Sequence, residues 1–236
     1  MFAVSTLCLH DLPLDRALDQ ISAVTDHIEV MDEGLHYLAS AAPLGSFTAK
    51  FTIHSPCRGT NIASLLEPIR RASVEVMGRC FAIAGEVGAG VVVHPGYFAW
   101  PQDRLNAEEQ LKRSLAELAQ LAEEHSVTFF IENMGNWEHF LLKSPAELHL
   151  IEGSAFALDV GHANQNGCLA EFLTHPARHY HLHDNHGTED SHDAIGSCSI
   201  DFTGVMASVR RDGVIPVIEV GTFEGVLKSI EVLRAL

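Results

Sequence analysis

Val91-Val92-Val93-His94 is a short run in which every side chain is apolar until the last, which is ionisable. Successive side chains of a β-strand point to opposite faces. A run that is apolar throughout therefore belongs to a strand covered on both faces, the habit of parallel sheets flanked by helices. The same form recurs outward in both directions. Phe51-Thr52-Ile53 stops at His54, Phe129-Phe130-Ile131 at Glu132, Phe156-Ala157-Leu158 at Asp159 and Pro216-Val217-Ile218 at Glu219. Between the last two comes His181-Leu182-His183-Asp184.

With these anchors, strands are expected at Phe2–Leu9, His27–Met31, Thr48–His54, Gly90–His94, Thr128–Glu132, Ala155–Asp159, Tyr180–His183 and Val214–Val220. Longer amphipathic stretches separate them, among them Ile62–Ala84, Ala107–Glu124, Ala146–Glu152, Phe202–Val209 and Val226–Leu236. Strand–helix alternation implies parallel pairing, because each crossover must return the chain to the same end of the sheet. Eight such units in 236 residues predict one domain, residues 1–236, of the α/β class. Its expected form is a closed (β/α)8 TIM barrel, parallel strands inside an outer ring of helices. An open doubly wound sheet is the alternative, but no GxGxxG follows the first strand to support it.

Hydrophobic residues make up 47% of the chain, enough for one large core. Prolines and glycines are scattered, so no linker or repeat is expected. The opening MFAVSTLCLH lacks the basic leader and cleavage site of a signal peptide, and no apolar stretch approaches the roughly 20 residues that span a bilayer. Five cysteines, an odd number without a CxxC, fit a reducing compartment. A soluble cytoplasmic protein with no membrane partner is the expectation. Fifteen Lys and Arg against 31 Asp and Glu give a net charge of −16, which argues against nucleic acid as a partner.

The ionisable residues at the strand ends carry the functional reading. In a parallel barrel these carboxyl ends meet at one rim, where active sites form. A single histidine there is commonly a hydrogen-bonded cap, and a single carboxylate commonly caps the next helix. Six successive strands ending in His, Glu or Asp are not explained by capping. Several carboxylates at one mouth would raise each other's pKa unless cations intervene. Neutral imidazoles and carboxylates around divalent ions resolve that conflict, and the ligand mix suits zinc, or manganese and other first-row metals. After the seventh strand, Asp190-Ser191-His192 places a carboxylate and an imidazole two residues apart, able to clamp one ion from the same side. Glu29 on the second strand is expected to face the same rim, behind the ligands. His125, His139, His149, His175, His179 and His186 have no such placement and read as surface or structural.

The segments FTIHSP, VVVHPG, FFIENMG, ALDVGH, HLHDN, DSH with AIG, and VIEV, in that order, resemble the endonuclease IV and xylose-isomerase-like barrel superfamily, AP endonuclease family 2 with its sugar phosphate isomerase and epimerase relatives. The likeness runs from strand three to strand eight. The endonuclease branch holds up to three zinc ions. The resemblance implies that His54, His94 and Glu132 hold one ion, and that Glu132 bridges to a second held by Asp159, His181 and Glu219. His162, Asp190 and His192 would hold the third. His183 and Asp184 would then contact substrate or support the ligands. The isomerase branch implies a smaller set, one ion on Glu132, Asp159, His181 and Glu219, with the two glutamates as acid–base pair and His162 on the substrate. Two features depart from the DNA-repair branch: Cys57 stands where a bulky aromatic is usual, and the chain is far more acidic. In the Ile195-Gly196-Ser197-Cys198 stretch, relatives commonly carry a second glycine where Cys198 stands.

The expected activity is a multinuclear metal-dependent hydrolase of a phosphoester or sugar-phosphate bond in a small molecule. Its catalytic groups would be Glu132, Glu219 and Asp159, with Asp159 or Glu29 orienting the attacking hydroxide. A single-metal isomerase or epimerase of a sugar or sugar phosphate is the alternative, with Glu132 and Glu219 moving the proton. The substrate in either case is small and sugar-like or phosphorylated. A metal-binding module without catalysis is the remaining class.

Overall fold

The computed structural model describes Met1–Leu236. Eight parallel strands close in sequence order: β1 (Ala3–Ser5), β2 (His27–Met31), β3 (Lys50–His54), β4 (Gly90–Val93), β5 (Phe129–Glu132), β6 (Ala155–Asp159), β7 (His179–Leu182) and β8 (Val217–Ile218), with β8 pairing back onto β1. The helices are α1 (Leu14–Ser22), α2 (Glu67–Val87), α3 (Arg104–His125), α4 (Val160–Gln165), α5 (Leu169–Phe172), α6 (Phe202–Asp212) and α7 (Phe223–Arg234). The (β/α)8 barrel read from the strand pattern is the observed fold. No helix is long and apolar enough to cross a membrane.

Fifty-eight buried apolar residues form one core between strands and helices, built from outward-facing side chains such as Val91, Ile131 and Leu158. Inside the barrel a separate small cluster of Val92, Phe130 and Ala157 makes an apolar floor. Alternation along each strand thus divides the residues: one set seals the helices on, the other fills the bore and ends at the rim.

Four expected elements differ, each for a local reason. Strand one ends at Ser5 rather than Leu9, because Ser5 Oγ accepts from Leu7 N at 3.3 Å and caps a 3-10 turn over Thr6–Leu9. Strand eight is only Val217–Ile218; Pro216 has no amide to give the ladder, although Glu219 N still donates to Leu182 O at 3.0 Å. The pattern at Ala146–Glu152 folds as 3-10 turns over Pro145–Ile151. α2 begins at Glu67, not Ile62, because Asn61 Oδ1 accepts from Ala63 N and Tyr97 N and holds the preceding residues in a loop. Pro68 in the first turn suits a position whose amide has no helical partner.

Candidate metal centre

Pairing register brings the strand ends level. Asp159 lies opposite His181, Ala157 opposite Glu132 and Val92 opposite His54. His94, His183 and Glu219 each follow their strand's last residue. All nine side chains expected as ligands therefore meet at one rim. His54, His94, Glu132, His162, Asp190, His192 and Glu219 line a cavity of about 710 Å³, while Asp159 and His181 are fully buried in the same assembly.

Glu132 is the hub. Its Oε2 lies 3.0 Å from His94 Nε2 and 3.3 Å from His54 Nε2, and its Oε1 lies 2.8 Å from His181 Nδ1. Burial alone would raise this carboxyl, yet the charge and hydrogen bond of His181, with those of His54 and His94, hold it well below the carboxylate range. The converse holds for His181. Burial opposes its charge, and Glu219, Glu29 and Glu132 outweigh that and raise it well above an ordinary imidazole.

Glu132, Asp159, His181 and Glu219 each present one ligand-type atom, and these atoms lie within 4.8 Å of one another. Asp159 Oδ2 and Glu219 Oε1 are buried without a hydrogen-bond partner. A buried carboxylate oxygen with no donor is costly, and two converging with an imidazole and a third carboxylate form the donor set of a divalent ion. The residues present therefore fit the metal that the resemblance implies.

A second group stands nearer the mouth. Asp190 Oδ2 lies 3.2 Å from His162 Nε2 and 3.2 Å from His192 Nε2, and the His183 ring stacks on His192 at 4.0 Å. His192 has φ +47°, a left-handed conformation that few non-glycine residues adopt, and its Nδ1 lies 2.7 Å from Glu219 O. Burial opposes charge on His192, but Asp190 and Glu219 push its pKa up to about 9.

Two expected placements, those of Asp184 and Glu29, are corrected. Asp184 does not reach the cavity: it is fully buried, and its oxygens accept from the amides of Asn185, Gly196, Cys198 and Ile200 at 2.9–3.1 Å, so it holds the loop that carries Asp190 and His192. His183 takes the supporting one of its two expected roles: it is fully buried, with Nε2 3.1 Å from Asp159 Oδ1, and stands with Asp190 and His192 as a group of ligand-type side chains. Glu29 sits mid-strand, one layer below the rim. Its oxygens lie 2.8 Å from His181 Nε2 and 2.9 Å from His179 Nε2, with no path to a substrate water. His179 is accordingly structural, buried between Glu29 and Phe130.

Other site residues carried no signal that spacing could expose. Asn133 fixes Asp159, giving Nδ2 to Asp159 O and accepting Asp159 N at 2.8 Å; its one clue was adjacency to Glu132. Tyr97, Trp137 and Phe140 make an aromatic wall, Trp137 lying against both other rings. Gly161 is required by close approach: a Cβ there would lie 1.9 Å from His183 Cε1.

Known proteins place this geometry. The uncharacterized protein MJ1614 of Methanocaldococcus jannaschii is 32% identical over 199 residues, covering 82% of this chain and 77% of the relative. The crystal structure of a D-tagatose 3-epimerase-like protein is similar at 28% identity and a TM-score of 0.90, covering 99% of this chain and 96% of that one. The structure of the IOLI protein with a bound zinc atom shares the fold at 16% identity and a TM-score of 0.80, covering 99% and 96% of the two chains. The family model for the xylose isomerase-like TIM barrel matches residues 28–236, and this chain belongs to that family.

Proposed function

We propose that this protein is a divalent-metal-dependent isomerase or epimerase of a small, uncharged sugar or related polyol. The observation that carries the reading is the buried tetrad of Glu132, Asp159, His181 and Glu219 at the floor of a 710 Å³ cavity, a volume suited to a small molecule. The similarity to the D-tagatose 3-epimerase-like protein supports it. The aromatic wall of Tyr97, Trp137 and Phe140 offers faces on which a sugar ring packs. Arg58 is the one Lys or Arg among the lining residues and is 86% exposed, whereas Glu132, Glu189, Asp190 and Glu219 also line the cavity. That balance favours a neutral substrate over a phosphorylated one.

The substrate's carbonyl and adjacent hydroxyl would be polarised by a divalent ion held on Glu132, Asp159, His181 and Glu219, which is the chemistry the ion supplies. The chain's own groups handle the proton. Glu219 Oε1, which has no hydrogen-bond partner, takes the proton from the carbon beside the carbonyl. Return from the same oxygen to the neighbouring carbon, with the hydroxyl proton of that carbon passing to the former carbonyl oxygen, gives isomerisation. Return to the original carbon from Glu132, three strands away around the barrel, inverts it. Asp159 is kept ionised: burial disfavours its charge, but His162 and His183 lower its pKa. It would help to hold the ion. His162, with Nδ1 2.9 Å from Asn133 O, presents Nε2 to the cavity beside Asp190.

A second reading, a multinuclear zinc phosphoesterase, is favoured by one observation, the convergence of His162 and His192 on Asp190 at 3.2 Å each. Cytoplasmic residence belongs to both readings, on five free cysteines, as does the lack of a nucleic-acid partner, on the acidic charge of −16. The test is product analysis by chromatography after incubation of manganese-, cobalt- or zinc-loaded protein with ketoses, aldoses, their phosphates and a panel of phosphoesters. Isomer or epimer formation from a free sugar is expected. Hydrolysis of phosphoesters with no sugar conversion would overturn the proposal in favour of the second reading.

A further inference from the structure

We propose that Gln165 reads a hydroxyl group of the substrate, one that lies beyond the two carbons reacting at the tetrad. The inference rests on the sugar or polyol reading above and narrows it to substrates that carry a further hydroxyl on that side of the cavity.

Gln165 is the last residue of α4 and follows His162 by three positions, so the two side chains share a face of the helix, and both line the cavity. Its Oε1 is buried without a hydrogen-bond partner. A buried amide oxygen with no donor is costly and uncommon, and a ligand that brings a donor removes the cost. A half-turn of the amide exchanges oxygen and nitrogen, so the end turned to the cavity can accept or donate. A hydroxyl does both and is matched in either setting. Thr60 and Asn136 line the same cavity but spend donors within the protein, Thr60 Oγ1 on Pro56 O at 2.7 Å and Asn136 Nδ2 on Thr188 O at 3.2 Å.

The backbone that carries Gln165 is fixed. Asn166 Nδ2 donates to Met134 O at 2.8 Å and to His162 O at 3.0 Å, while Asn133 bonds both backbone groups of Asp159. α4 is therefore tied at both ends to the segment that follows β5. That segment supplies Gly135, where a Cβ would stand 2.5 Å from Gln165 Oε1 and 3.2 Å from His162 Cδ2. The missing side chain leaves the room that both residues occupy at the wall. Two residues on, Trp137 contributes to the aromatic wall. His162 Nδ1 lies 3.7 Å from Asp159 Oδ1, beside the tetrad, and Gln165 stands nearly one helical turn further along. A sugar held at the tetrad thus meets Gln165 at a carbon outside the reacting pair. An uncharged amide held on a rigid element selects by hydrogen bonding, in keeping with an uncharged substrate.

The test pairs a deletion in the enzyme with a deletion in the substrate. Cobalt-loaded parent and Gln165→Met, which keeps the side chain's length and removes its hydrogen bonds, are assayed on D-fructose and D-tagatose. Both are also assayed on analogues of each ketose lacking one hydroxyl remote from the carbonyl. On the full sugar, kcat/KM should fall about 10–100-fold in Gln165→Met, chiefly through a raised KM, with cobalt content unchanged by elemental analysis. One deoxy analogue should show a comparable loss with the parent and no further loss with the variant. The parent assayed alone gives a measurement that needs no variant: that analogue should be converted at least about tenfold less efficiently than the full sugar. Unchanged kcat/KM in Gln165→Met, or losses that simply add for every analogue, would overturn the assignment of Gln165 and leave the sugar reading standing. Conversion of neither ketose by the parent would overturn the sugar reading for these substrates, and the assignment with it.

Discussion

Removing the Asp184 carboxylate should uncouple the loop that carries Asp190 and His192. Oδ1 of Asp184 accepts from Asn185 N at 2.9 Å and Ile200 N at 3.1 Å, and Oδ2 from Gly196 N at 3.1 Å and Cys198 N at 2.9 Å. Asn185 and Ile200 are buried, whereas Gly196 is exposed and Cys198 half-buried. In Asp184→Ala the outer two amides regain water, but the inner two stay unpaired. Hydrogen bonds to a charged group are worth about 1.5–3 kcal/mol each, so two lost bonds cost roughly 3–6 kcal/mol. Asp184→Asn keeps a carbonyl for the inner pair and turns an amide toward the outer pair, which can rehydrate; it should cost only about 1–2 kcal/mol. Urea denaturation followed by far-ultraviolet circular dichroism measures both. A loss under about 1 kcal/mol in Asp184→Ala, or equal losses in the two variants, would refute this account of the loop.

Gly161→Ala should destabilise the protein by about 1–3 kcal/mol, read as a lowered thermal midpoint, because the new methyl would displace the buried His183 ring; an unchanged midpoint would contradict the packing. Burial raises the Asp32 carboxyl to about 7, partly offset by the hydrogen bond from Leu38 N. Its folded pKa thus exceeds the unfolded value of about 3.9, so its contribution to stability is full below about pH 4 and lost as the pH rises through 7. The stability of Asp32→Asn relative to the parent should therefore climb between those limits, and thermal midpoints that run parallel across the range would sink the assignment. Glu29→Gln should weaken zinc binding at the tetrad by about 10–100-fold without altering the circular dichroism spectrum, because Glu29 orients His181 through Nε2. Chelator competition that shows no change would place His181's orientation elsewhere.

The barrel was legible because the bore and the outer wall impose different demands on alternate residues. Val91-Val92-Val93 and Phe129-Phe130-Ile131 are apolar on both, and the change to His94 and Glu132 marks where the bore opens. The same change exposed His54, His94, Glu132, Asp159, His181 and Glu219, whereas His162, Asp190 and His192 lie beyond the strands and were read from loop spacing and the resemblance. Their division of labour was less legible. Asp184 follows His183 in sequence and looks like a rim residue, but pairing of the chain at Asp184 and Asp193 turns it under the loop. Glu29 lies two residues before the end of β2, and only the pairing register shows that this puts it a layer deep. Strand one was read too long because Thr6–Leu9 is as apolar as a strand, and only the Ser5 cap distinguishes the turn. The hydrolase expectation rested on the number of ligand-type residues. The cavity's size, its aromatic wall and its single exposed cation are products of loops, where no periodicity marks the residues, and they favour the isomerase or epimerase that was the alternative.

The most direct test of that reading is wash-in of solvent deuterium, followed by nuclear magnetic resonance, for cobalt- or manganese-loaded protein incubated with free ketoses in D2O. The account predicts deuterium at a single carbon adjacent to the carbonyl of an accepted sugar, abolished in Glu219→Gln while the tetrad's fold is retained by circular dichroism. No incorporation into any ketose or aldose by metal-loaded protein, or incorporation that persists unchanged in Glu219→Gln, would contradict it.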